Sequence, residues 1–99
     1  MAEHAKVIDV SRYYPVQGKR DELLAAMKEL AAKAASSPGC FGAQVCESDQ
    51  ERAALIAISR WASQSDLDGF AGSPSFVKER ERMAALLAKP AQREHFHPQ

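Results

Sequence analysis

Ninety-nine residues suffice for one domain and not for two, and a chain this short buries only a modest share of its surface when it folds alone. Thirteen basic and thirteen acidic residues cancel, so no long-range field draws in nucleic acid or an anionic membrane; 45 % hydrophobic and 26 % charged residues is an ordinary globular balance. The longest apolar run, residues 53–58, is far short of a membrane span, and the N-terminal MAEHAK lacks the apolar core of a secretory signal, so the cytoplasm is the expected compartment.

Residues 6–14 (KVIDVSRYY) are rich in β-branched and aromatic side chains and read as a strand closed by Pro15 to Gly18. The period then changes. Leu23, Leu24, Met27, Leu30, Ala31 and Ala34 fall at helical spacing on one face, with charged residues opposite, and SSPG at 36–39 ends that helix. Cys40–Glu47 reads as a second strand, 48–51 as a polar hairpin loop and 53–61 (AALIAISRW) as a third strand. Ser63-x-x-Asp66 has the form of a capping box with Asp in place of Glu, which starts a helix near Gln64. Gly69 and Gly72 loosen that helix, and Ser73-Pro74 restarts it, with Ser as N-cap and Pro at the first helical position. Phe76, Val77, Met83, Ala84 and Leu87 are its expected apolar stripe, Lys89-Pro90 its expected stop, and Gln92–Phe96 a final strand.

The resulting order is the split βαβ plan, a ferredoxin-like α+β fold with a four-stranded antiparallel sheet, in one domain over residues 1–99. Val7, Ile8 and Val10, and then residues 55–58, are apolar at consecutive positions, so those strands need cover on both faces. The helices supply one cover. A second copy of the chain, stacked sheet on sheet, is the expected other. Cys40 and Cys46 lie six positions apart in one strand, roughly 20 Å at strand rise, too far for a disulfide; they read as reduced thiols, with Cys40 beside the Pro38-Gly39 turn the candidate for reactivity.

Four stretches in order, PVQGKRDEL at 15–23, PGCFG at 38–42, ISRWAS at 58–63 and DLDGFAGSPSF at 66–76, resemble the antibiotic biosynthesis monooxygenase family across nearly the whole chain. The resemblance implies a dimeric α+β barrel with a pocket between each sheet and its own helices. It also implies oxidation of quinols or aromatic polyketides without metal or flavin, or degradation of haem. Ser11, Phe70 and Arg80 align with the Asn, Trp and His that haem-degrading members use, and Phe70 and Ser75 align with the histidines frequent in quinol oxidisers. The haem-degrading set is therefore absent, and fold likeness alone does not establish chemistry.

The expected pocket is lined by Asp9, Ser11, Tyr13, Trp61, Phe70 and Arg80, and no catalytic group is assigned among them. Arg80 stands in an otherwise apolar stripe, where a cation needs a partner or a route to water. Asp9, on the same strand face as Ser11, is the expected partner, and orienting an anionic or enolate-like oxygen is the functional alternative. Trp61 at a strand end is either core or pocket wall. Tyr13 and Tyr14 must face opposite ways, so at most one enters the pocket. His95-x-His97 could form a metal pair but lacks an evident third ligand, and no metal or other cofactor is expected. No phosphate loop, Cys-x-x-Cys or Ser-His-Asp pattern occurs. The neutral charge and apolar strands exclude an RNA-binding sheet, which would need basic residues and stacking aromatics. The functions that fit are a cofactor-independent monooxygenase acting on a quinol or an aromatic, polyketide-like molecule, a non-catalytic small-molecule-binding or assembly dimer, and an isomerase on the same barrel.

Overall fold

The computed structural model describes residues 4–99; residues 1–3, part of the N-terminal stretch read for a secretory signal, lie outside them. Strand β1 (Val7–Tyr13) leads to helix α1 (Arg20–Ala35), the hairpin β2 (Cys40–Glu47) and β3 (Leu55–Trp61), the short helices α2 (Gln64–Ala71) and α3 (Pro74–Ala84), and β4 (Gln92–Phe96). The strands form one antiparallel sheet in the order β2-β3-β1-β4, so β1 and β3 are central and the helices lie on one face. No described helix is long and apolar enough to cross a membrane.

Local chemistry explains each boundary. Asp21 and Glu22 occupy the first turn of α1 and Lys33 its last, matching the helix dipole. The Ser36 and Ser37 hydroxyls both donate to the Lys33 carbonyl, at 3.0 and 2.9 Å. Gly39 follows with φ +80, and a Cβ there would sit on the Asp66 carboxylate, so only glycine suits this turn. Ser63 Oγ accepts from the Asp66 amide at 3.1 Å and bonds the Asp66 carboxylate at 2.9 Å. Ser73 Oγ accepts from the Phe76 amide at 3.3 Å and donates to the Phe70 carbonyl at 2.6 Å, so one hydroxyl ends α2 and begins α3.

Helix α3 departs from the expected stripe in phase and in length. Phe76, Glu79, Met83 and, beyond the helix, Leu86 are buried, whereas Val77 is half-buried and Ala84 exposed. The buried charge is thus Glu79 and not Arg80. It is tolerated because Lys33 lies 3.5 Å away on α1 and Arg82 3.0 Å away on its own helix, with Arg82 reaching on to Glu29 at 3.1 Å. The helix stops at Ala84, ahead of the expected Lys89-Pro90. Its continuation pairs instead with the chain leaving β1: the Val16 amide bonds the Leu86 carbonyl at 2.8 Å and the Ala88 amide the Tyr14 carbonyl at 2.7 Å.

Strand register assigns every sheet residue to a face. Val7, Asp9, Ser11 and Tyr13 point to the helices, as do Leu55, Ala57, Ser59 and Trp61 opposite them. Leu23, Met27, Leu55, Phe76 and Met83 form the main core on this side, and Val7, Ala34, Trp61 and Leu67 a second cluster. On the outer face Tyr14, Ala54 and Ile56 cluster with Val10, Cys46 and Ile58, and Phe96 is 45 % exposed. A bulge at Phe41 shifts the register between Cys40 and Gly42, which turns Cys40 towards Trp61 while Cys46 stands beside Ile56. Neither cysteine is in a disulfide.

Candidate functional site

Two adjoining spaces lie between the sheet and its helices. A narrow inner cavity of about 50 Å³ is lined by Ser11, Tyr13 and Ala57 of the sheet, Met27 and Leu30 of α1, and Phe70 of α2. A wider groove of about 430 Å³ runs between α3 and β4, past Arg80, Glu81, Ala84, Leu87, Pro90 and Ala91. Ser11, Tyr13, Phe76, Met83 and Arg93 line both, so the two spaces share a wall.

One row of polar groups crosses the sheet on this side. β4 pairs with β1 in a register that sets Arg93 opposite Ser11 and His95 opposite Asp9. Arg93 grips Asp9 with both ends of its fork: Nε donates to Oδ1 at 2.8 Å and Nη2 to Oδ2 at 3.2 Å. His95 Nε2 lies 3.2 Å from the same Oδ1. The Asp9 side chain is only 14 % exposed, so this carboxylate is held tightly by its two neighbours. Across β1, the Trp61 indole N–H donates to Ser59 Oγ at 2.8 Å.

Tyr13 supplies the phenol at the shared wall. Burial pushes its pKa above the usual tyrosine value; the Ser11 hydroxyl and the positive charges of Arg93 and Arg80 oppose that rise, and Asp9 adds to it. The phenol therefore stays protonated at neutral pH and is a hydrogen-bond donor to whatever anionic oxygen comes beside it.

Asp9, Ser11, Tyr13 and Phe70 line the inner cavity, and Arg80 lines the groove with Ser11 and Tyr13. Trp61 does not line either space. It is fully buried, packed 5.5 Å from Phe70 ring to ring, with its indole N–H satisfied by Ser59. The expected Asp9–Arg80 pair does not form. Arg93 and His95 take Asp9 because β4 carries them directly beside it, while Arg80 is exposed and lies 5.6 Å from the Phe76 ring centroid. Arg93 lies at the same 5.6 Å distance from that ring. Among the described residues no carboxylate pairs with Arg80. His97 falls beyond the end of β4, and no three His, Cys, Asp or Glu among the described residues come together as a metal site.

Arg93, His95 and Ser59 stand outside the set expected from sequence. The signal for the first two is available there: in this topology β4 lies beside β1, so alternate residues of QREHF face the same side as Asp9 and Ser11. The signal for Ser59 is its i, i+2 spacing to Trp61.

A four-stranded antiparallel sheet with helices on one face and a cavity between them defines the class of ferredoxin-like α+β domains. Comparison with known proteins narrows the class. The family model described as antibiotic biosynthesis monooxygenase matches residues 7–82, and the chain belongs to that family. A Mycobacterium tuberculosis protein superposes with a TM-score of 0.86 at 25 % identity, over 94 % of each chain. A conserved protein from Methanosarcina mazei Go1 has a TM-score of 0.87 at 17 % identity, over 94 % of this chain and 92 % of its own. A Caulobacter crescentus CB15 protein, assigned as a proposal to the antibiotic biosynthesis monooxygenases, has a TM-score of 0.83 at 24 % identity, over 95 % and 91 %. The last two likenesses concern the fold alone. No curated protein matches the chain significantly.

Proposed function

We propose that the chain is a cofactor-independent monooxygenase for an electron-rich phenol or quinol, working as a homodimer. The observation that carries the chemistry is the grouping of Arg80, Arg93 and the Tyr13 phenol on a largely apolar groove, where Glu81 is the one lining carboxylate among the described residues. Arg80, with no carboxylate of its own among the described residues, stands on the same groove as the protonated phenol of Tyr13. A flat ring lying along Phe76, Leu87 and Pro90 would present its hydroxyl to these groups, which favour the ionised form. Ionisation is what matters for oxygen, because a phenolate gives up electrons far more readily than a phenol. The reaction balances without another reductant: a ring C–H and the phenolic O–H are lost, the ring becomes a quinone that keeps one oxygen atom, and the other atom leaves as water.

The dimer is supported by the outer sheet face. Ile8, Val10, Ile56, Ile58 and Cys46 form an apolar field there, with Phe96 projecting at its edge, and no described element of the chain covers it. Light scattering should give twice the 10.8 kDa chain mass at micromolar concentration, and Ile58→Asp should halve it.

An oxygen electrode tests the activity. With a panel of quinols and naphthols the protein should consume one dioxygen per quinone formed, with no dependence on added iron or flavin. Flat traces across the panel would overturn the reading in favour of a binding dimer. The engagement of Asp9 by Arg93 and His95, which leaves that carboxylate poorly placed to act as a base, is the observation that favours this alternative.

A further inference from the structure

We infer that the inner cavity is a binding site for dioxygen, separate from the groove that receives the organic substrate; the inference rests on the oxygenase reading. Size is the first argument. At about 50 Å³ the cavity exceeds the ~10–15 Å³ that a single small molecule such as water needs and is well below the ~150 Å³ of a cavity that admits benzene. An aromatic ring therefore belongs in the groove, and the inner space suits a diatomic molecule.

The second argument is polarity. Ala31, Ala34, Ala43 and Ala57 line the cavity beside Met27 and Leu30, and the small side chains are what leaves the space open. Most of its polar side chains already have partners, the exposed Gln44 at its rim aside. Asp9 is held by Arg93 and His95, Ser59 accepts from Trp61, and Ser11 stands against the Tyr13 phenol. A buried water needs two to four polar partners, and few remain here, whereas an apolar gas needs none. The third argument is position. The wall of Ser11, Tyr13, Phe76 and Met83 belongs to both spaces, so a molecule in the cavity lies directly inward of a ring in the groove.

Xenon, which occupies dry apolar cavities, is the probe. Crystals of the full chain under xenon pressure should show a peak beside Ala57, Ala31 and Phe70. Ala57→Leu should fill the space and abolish the peak; Ala31→Leu does the same from the helix side if the first variant fails to fold. In oxygen-consumption assays the filled variant should show a KM for dioxygen raised about tenfold, with the KM for the phenol changed by less than about twofold. Ordered water in the cavity, xenon confined to the groove, or a filled variant with an unchanged KM for dioxygen would overturn the dioxygen site while leaving the oxygenase reading intact. A wild-type protein that consumes no oxygen with any phenol overturns the oxygenase reading, and the dioxygen assignment with it.

Discussion

The two halves of the helical layer contrast sharply. Helix α1 has 16 residues and buries Leu23, Ala26, Met27, Leu30 and Ala34 against β2 and β3. Helix α3 has 11 and buries Phe76, Glu79 and Met83, one of them a charge. Its chain then turns aside to pair with residues 14–16, and the short edge strand β4 beneath it presents mainly polar side chains. The half under α1 leaves only the small cavity lined by Met27, Leu30, Ala31 and Ala34, and the half under α3 keeps a wide groove. The proposed substrate groove lies where the covering helix ends early, and most of the buried core where it does not.

Substitutions should divide along the same line. Leu55→Ala, at a fully buried position beneath α1, should cost about 2–5 kcal/mol, measured by urea denaturation. A loss as large from Leu87→Ala, at the half-buried groove wall, would break the contrast. Arg93→Met should cost about 1–2 kcal/mol, since the bidentate pair with Asp9 is charge-assisted yet partly exposed to water. Arg80→Met should change stability by less than about 0.5 kcal/mol, because this guanidinium is exposed and unpaired by any described carboxylate, while lowering the affinity for ionised phenols. The smallest effect is alkaline. The Tyr13 pKa is raised in the fold, so the unfolded chain loses its phenolic proton first, and stability should fall as pH rises above about 10. Tyr13→Phe should remove part of that slope; Tyr14, whose pKa is also raised by burial and by Glu51, contributes the rest.

Much of the fold is legible in the sequence, because its signals are local. Ser63 and Ser73 cap helices from positions that sequence alone marks, and β2 and β4 begin and end at the residues their composition suggests. The phase of α3 is harder to read. Its buried stripe includes Glu79, whose acceptability depends on Lys33, a residue of another helix 46 positions earlier by numbering. An apolar-stripe reading passes over such a residue and assigns the anomaly to Arg80. The site is legible in part for the same reason. Strand alternation places Asp9, Ser11 and Tyr13 on one face, but which arginine meets Asp9 is decided by the β1–β4 register. Trp61 shows the opposite limit: the indole is satisfied by a serine two residues away, which leaves it a core residue.

Stabilisation of an ionised phenol by the groove is open to direct measurement. It is tested most directly by titrating bound para-nitrophenol, whose ionised form absorbs in the visible. The bound dye should ionise at lower pH than the free dye, and Arg80→Gln should remove most of this shift without unfolding the protein. A dye that binds as the neutral phenol, with its ionisation displaced to higher pH or unaffected by Arg80→Gln, would contradict it.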